Sequence, residues 1–188
     1  MPKDSGLIIF LNGTSSSGKT TIANKLASRL PNFEHMAIDD YLRQDQELAD
    51  CIKQRNAQGA LETANRVVYN FHRLIACNAV AGHNTIVDHV LENPDWAEHA
   101  EYTLSLHRVL FIGVYCHLDV AVRRENERGD RISGTAQYQF PIVHANKSYD
   151  LRVDTSALSI KQCVDQIVDE IDRTQYSDRT AKRKFVLL

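Results

Sequence analysis

Cysteine is scarce, long apolar runs are missing, and neither sign of charge dominates; each of these closes off a class of protein. The four cysteines, Cys51, Cys77, Cys116 and Cys163, stand far apart with no CxxC pair. Neither a small disulfide framework nor a cysteine zinc ribbon is therefore encoded. They read as reduced thiols packed on helix or strand faces of a cytoplasmic protein. The apolar run near the start, Leu7 to Leu11, is too short for a signal peptide or a membrane span. Lys plus Arg number 22 against 24 Asp plus Glu, a net charge of −2, which speaks against a broad basic face for nucleic-acid backbone. Eight histidines show no H-x-x-x-H or H-E-x-x-H spacing, so no dedicated zinc site is expected. No repeat, linker or low-complexity tract interrupts a chain with 43% apolar and 24% charged residues. That is an ordinary globular composition, and 188 residues fit one domain.

What is present is an alternation of short apolar runs and amphipathic stretches. Leu7 to Leu11 predicts a strand buried on both faces, and Lys19 to Leu30 a helix with Ile22, Ala23, Leu26 and Ala27 on one side. Met36-Ala37-Ile38 predicts a second strand, followed by a polar, helix-compatible stretch to about Asn56 and a break at Gly59. Glu62 to Ala81 reads as a helix closed by Gly82, Thr85-Ile86-Val87 as a strand ending in Asp88, and Asn93-Pro94-Asp95 as a capped helix start. Val109 to Cys116 and Tyr149 to Val153 complete the strands, Asp119 to Arg128 and Ser159 to Ile171 the helices. The expected fold is α/β: a three-layer sandwich around an open, mostly parallel five-stranded sheet with helices on both faces. A tail from about Thr174, carrying Lys182-Arg183-Lys184, reads as a solvated basic terminus.

Between the first strand and first helix stands Gly13-Thr14-Ser15-Ser16-Ser17-Gly18-Lys19-Thr20, a full G-x-x-x-x-G-K-[ST]. Position matters as much as spelling, because a strand-to-helix turn aims backbone N–H groups and the helix dipole at phosphate oxygens. Glycines admit a close wrap, Lys19 brings a point charge to the β- and γ-phosphates, and Thr20 offers a hydroxyl to Mg²⁺. Gly13, Thr14, Ser15, Ser16, Ser17, Gly18, Lys19, Thr20 and Thr21 are the expected nucleotide contacts. The guanine-reading N-K-x-D is missing, since Asn146-Lys147-Ser148-Tyr149 ends in tyrosine, which favours ATP over GTP.

Ligands gather at the carboxyl ends of strands in open α/β sheets. Asp39 follows Ile38 and Asp88 follows Val87, and either can hold Mg²⁺ or accept the proton of an attacking hydroxyl. The plainer alternatives are a helix cap for Asp39 and a backbone-satisfied strand end for Asp88. The run Arg123 to Arg131, rich in guanidinium groups, opens into Ile132-Ser133-Gly134-Thr135. A lid at about 124–140 is expected there, with Arg124, Arg128 and Arg131 neutralising phosphate charge and Arg123 solvated. His144 reads as a core or lid-contact residue.

These residues together resemble the chloramphenicol phosphotransferases, P-loop kinases that phosphorylate the drug's 3-hydroxyl with ATP. The resemblance lies in Ile9-Phe10-Leu11-Asn12-Gly13 with Ser15-Ser16 and Gly18-Lys19, Ile38-Asp39, and Ile86-Val87-Asp88. It continues through Arg128-Gly129-Asp130-Arg131 with Gly134, Val143-His144, Tyr149-Asp150 and Val153-Asp154-Thr155. It implies that Asp39 is the catalytic base, that Lys19 and Thr20 handle phosphate and Mg²⁺, and that Arg128 and Arg131 belong to the lid; Asp88 is then left to the metal. From Tyr41 to Gln58 and from Leu91 to Leu106 the chain departs from the family's drug-binding portion, the first stretch being polar. The acceptor therefore stays open: chloramphenicol, another metabolite, a nucleoside or a polynucleotide end. A regulatory ATPase without acceptor is the reading from another class.

Overall fold

A computed structural model describes residues 5–128 and 134–177. Its centre is strand β1 (Leu7–Asn12), with every residue buried. Such a strand needs a neighbour on each edge and a layer on each face, and it has all four. The sheet order is β2-β3-β1-β4-β5, from β2 (Phe33–Ala37), β3 (Asn84–His89), β4 (Arg108–Tyr115) and β5 (Leu151–Asp154), and every pairing is parallel. The expected five-stranded sheet is thus wholly parallel.

Successive β1 side chains enter opposite layers, as the two-residue period of a strand dictates. Ile8 and Phe10 pack with Val67, Phe71 and Ile75 of α4 (Ala57–Val80) and Ala97, Ala100 and Leu104 of α5 (Pro94–Leu104). Ile9 and Leu11 pack with Ile22 and Leu26 of α1 (Lys19–Arg29) and Ile167 and Ile171 of α8 (Ile160–Ser177). Each such buried side chain contributes about 1.5–3 kcal/mol, so β1 is pinned from both sides and its carboxyl end is a rigid platform. Among the described residues no helix is long and apolar enough to cross a membrane.

Several boundaries differ from expectation for local reasons. Ile38 opens α2 (Ile38–Gln44) instead of ending β2; its side chain reaches the core from the first helical turn. The polar stretch divides into α2 and α3 (Gln46–Lys53) at Asp45, whose carboxylate accepts from Leu48 N at 2.9 Å. Gly59 is no break but lies in the first turn of α4, where Asn56 Oδ1 accepts its N–H at 3.0 Å. A Cβ on Gly59 would stand 2.3 Å from Asn56 Nδ2, so this glycine makes room for the cap. Tyr149 precedes β5 rather than joining it; its ring packs on Phe111 at 4.5 Å. Cys116 and Cys163 are buried as expected, but Cys77 is exposed. Helix α8 runs on past Ile171 to Ser177, and the basic tail beyond it lies outside the described residues.

Candidate active site

Strand register brings the expected groups to one edge of the sheet. Leu11 and Ala37 both pair with Asp88, and Asn12 pairs with His89 and Gly113. The loop after β1, the start of α2 after β2, and the end of β3 therefore share one crest. In the loop, a Cβ on Gly13 would lie 2.3 Å from Val114 O, so only glycine lets the chain turn this close to β4. Gly18 takes φ 93° as it enters α1, a left-handed value that suits glycine.

The loop's electrostatics fit an anion. No side chain caps α1 and no acid stands in its first turn, which leaves the N–H groups and the positive end of the dipole available. The hydroxyls of Ser15, Ser16 and Ser17 are buried without a hydrogen-bond partner among the described residues. Buried polar groups are almost always paired, and phosphate oxygens are the partners this loop is shaped to receive. Lys19, 6% exposed, donates from Nζ to Thr14 O at 2.8 Å. Thr20 Oγ1 donates to Asp88 Oδ2 at 2.5 Å, and Asp88 is 6% exposed. A hydroxyl bonded to a carboxylate beside a phosphate cradle is the donor set that suits Mg²⁺.

Asp39 lies in the first turn of α2 with its side chain 32% exposed and Arg43 Nη2 3.7 Å away. It lines one cleft together with Ser15, Lys19, Thr20, Asp88 and Arg128, while Ile38, Leu42, Val90 and Trp96 give that cleft an apolar wall. Trp96 is held by its Nε1, which donates to Asn65 Oδ1 at 2.7 Å. A second depression, between α2 and α4 and lined by Tyr41, Arg66 and Phe71, contains none of the loop residues.

The arginines part company. Arg128 reaches the cleft, and Arg131 lies outside the described residues. Arg124, expected to touch the nucleotide, donates from Nη1 to Thr155 Oγ1 at 3.0 Å and from Nη2 to Thr155 O at 3.0 Å. Thr155 Oγ1 donates onward to Ser17 O at 2.7 Å, so Arg124 braces the loop from behind. The expected lid is described as the end of α6 (Leu118–Arg128) and as α7 (Thr135–Gln139).

Four supporting residues escaped the sequence reading. Asn12, wholly buried, accepts from Leu91 N at 2.9 Å and donates to Val143 O at 2.9 Å and Tyr149 Oη at 2.7 Å. It ties β1 to the β3–α5 connection and to the segment before β5. Glu125, 2% exposed, accepts from Gly134 N and Ala136 N, each at 2.9 Å, and so holds α7 against α6. Gln139 bridges Ser15 N at 2.6 Å and Glu92 Oε2 at 2.7 Å. No spacing rule reports such pairs, although Asn12 stood beside the glycine-rich motif and Glu125 and Gln139 inside the expected lid segment.

Histidines collect beneath the crest. His72 approaches His99 Nδ1 at 3.0 Å and His89 Nε2 at 3.1 Å, so as a neutral ring it donates from one nitrogen and accepts at the other. Burial pushes His72 down to about 2 and His89 to about 3, with neighbouring imidazoles adding to the fall at His72. His144 stacks on Tyr115 at 3.8 Å and shares a hydrogen bond with Tyr149 Oη at 2.8 Å. Burial above all, then Lys147 and Lys19, lowers it to about 4. Burial raises the Tyr149 phenol well above its ordinary value.

Relatives carry the same emphasis on phosphate transfer. Two Mycobacterium tuberculosis proteins, each named "putative O-phosphotransferase", are 26% identical over 192 residues, covering 91% of this chain and 84% of theirs. An adenylyl-sulfate kinase of Chloroflexus aurantiacus is 25% identical over 179 residues, 90% of each chain. The solved APS kinase of M. tuberculosis, in complex with AMPPNP and APS, matches with a TM-score of 0.66 at 15% identity. It covers 89% of this chain and 98% of its own, a likeness of fold. The family model described as chloramphenicol phosphotransferase-like protein matches residues 6–172. With phosphate loop, strand-end carboxylates and family match in agreement, the chain belongs to the chloramphenicol phosphotransferase-like family of P-loop phosphotransferases.

Proposed function

We propose that the protein transfers the γ-phosphoryl group of ATP to a hydroxyl of a small molecule, with Asp39 as general base. The observation that carries this reading is the shared cleft, lined by Ser15 and Ser16 of the loop, the Thr20–Asp88 pair and Asp39. Asp39 takes the hydroxyl proton as the acceptor oxygen forms its bond to phosphorus and the bond to the ADP oxygen breaks. Lys19 and the loop N–H groups stabilise charge on the transferring group, and Arg128, lining the same cleft, adds a guanidinium to that charge. Thr20 and Asp88 would hold Mg²⁺, which would supply charge neutralisation to the phosphates.

The apolar wall of Ile38, Leu42, Val90 and Trp96 supports an acceptor with a hydrophobic portion beside its hydroxyl. Chloramphenicol is the named candidate. A metabolite kinase is the second reading, favoured by the likeness to an adenylyl-sulfate kinase. A mass-spectrometric screen of hydroxylated compounds, chloramphenicol included, is expected to find one that gains a phosphate group in the presence of ATP. Steady ADP release with no modified compound points instead to a regulatory ATPase and overturns the proposal.

A further inference from the structure

The transfer reaction does not account for every charge in the cleft. Five charged side chains line it: Lys19 and Arg128, and against them Asp39, Asp88 and Glu92. The reading above gives the two cations to phosphate, Asp88 to the metal and Asp39 to the hydroxyl proton. Glu92 is left without a task. Among the described residues its carboxylate has one hydrogen-bond partner, Gln139 Nε2 at 2.7 Å, and no cation. An ionised carboxylate offers about four acceptor positions, so most of its capacity is unused.

Glu92 is nonetheless a fixed group. Before it, Leu91 N donates to Asn12 Oδ1 at 2.9 Å; after it, Asn93 caps α5 by accepting from Asp95 N at 2.9 Å. The carboxamide that meets its side chain is itself anchored, accepting from Ser15 N at 2.6 Å. Backbone and side chain are thus both held, as recognition of a second ligand group requires. Ile38, Leu42, Val90 and Trp96 supply apolar surface in the same cleft, where a charge is less screened than in open water. A carboxylate so placed attracts a cation or a hydrogen-bond donor and repels an anion.

We propose that Glu92 is a specificity-determining residue: it takes a second donor group of the acceptor, an ammonium, hydroxyl or amide N–H, and turns away alcohols that carry a carboxylate, phosphate or sulfate. The inference rests on the reading of the cleft as the site of phosphoryl transfer from ATP, and narrows its acceptor. The substrate class is an uncharged or cationic alcohol with an apolar body. Its hydroxyl meets Asp39, its body the apolar wall, and its second donor Glu92.

Three compounds that share a phenyl ring and a benzylic hydroxyl test this: phenylethanolamine, a cation at neutral pH; styrene glycol, uncharged; and mandelate, an anion. Calorimetry uses the whole protein loaded with Mg²⁺ and a non-hydrolysable ATP analogue, so that Lys19 and Arg128 are occupied. The three are expected to bind in that order, tightest first. In Glu92→Gln, which keeps the shape and an oxygen for Gln139, the ratio of Kd for mandelate to Kd for the amine should fall about tenfold, the effect of losing one charge-assisted hydrogen bond. Glu92→Lys should invert the preference. Glu98→Gln alters an exposed acid of α5 outside the cleft and should leave the ratio within twofold, which separates contact from general charge. A ratio that stays within twofold in Glu92→Gln, or falls equally in Glu98→Gln, overturns the proposal, as does a loaded protein that binds none of the three. Should the lysine variant fail to fold, the near-isosteric glutamine carries the measurement. If the analogue itself does not bind, the ATP reading is lost and this inference with it; if it binds and the preference does not follow Glu92, only the role of Glu92 is lost.

Discussion

On the nucleotide side of the cleft, consecutive residues from Gly13 to Thr21 form one loop and the first turn of one helix. On the proposed acceptor side, Asp39, Val90, Glu92 and Trp96 arrive from α2, the β3–α5 connection and α5. Among the described residues the first region leaves three serine hydroxyls unpartnered, whereas in the second Trp96 and Glu92 already hold protein partners. Backbone N–H groups bind phosphate whatever the acceptor, so the loop needs little support beyond its own glycines and the sheet. Side-chain recognition of an acceptor needs positions fixed from several directions. The contrast teaches that the two sides should fail differently when altered.

The sharpest break belongs to the loop. Lys19→Ala is expected to lower phosphoryl transfer about 10³–10⁵-fold, the range for removing a charge from the transferring group, and to weaken nucleotide binding in calorimetry. Asp39→Asn probes the other side: transfer to the acceptor found by the screen should fall about 10²–10⁴-fold with nucleotide affinity retained. Equal loss of affinity in both variants would erase the distinction between the two regions.

Stability effects come next. Ile9→Ala removes a fully buried side chain from the platform under the loop and should cost about 2–5 kcal/mol in urea unfolding. The acceptor side rests on His72 and His89, whose folded values of about 2 and 3 lie below the unfolded value near 6.5. Above that value both rings are neutral in either state and stability is unaffected. As pH falls below it, only the unfolded chain takes up these protons, and each histidine removes about 1.4 kcal/mol per pH unit. Unfolding measured at pH 7, 6 and 5 should show this decline, and a His72→Phe variant should show a shallower one. Smallest of all is the exposed clamp of Arg66 on Asp45 and Glu47; with Arg66 48% exposed, Arg66→Ala should cost under about 1 kcal/mol.

Legibility in the sequence followed the same division. A buried strand, eight motif residues and a helix stand in unbroken order, so both their local structure and their joint position could be read. Asp39 and Asp88 were legible as acids at strand ends, because the crest of a parallel sheet is common ground for every strand that reaches it. Which of them would bond Thr20 depended on register, and Leu11 opposite Asp88 decided it. Gln139, Glu92 and Glu125 could not be found, since a carboxamide bonded across 124 residues leaves no periodic trace. The histidines were hidden for the same reason: His72 meets partners on β3 and α5, and none of the spacings between them is a ligand spacing. Arg124 was legible as a basic group near the loop, but its hydrogen bonds to Thr155 were not, because a sequence shows charge density and not the direction in which a guanidinium points.

The sheet order also governs how the protein is made. Strand β1 is synthesised first but pairs only with β3 and β4, which lie at residues 84–89 and 108–115. A growing chain must therefore carry Leu7 to Leu11 without a strand partner until residues 84–89 have emerged, and with one edge open until residues 108–115 follow, a long-range closure of the kind that slows folding and invites association. A nascent fragment ending before β4 thus has the loop's full spelling but only one of the two strands that flank its platform.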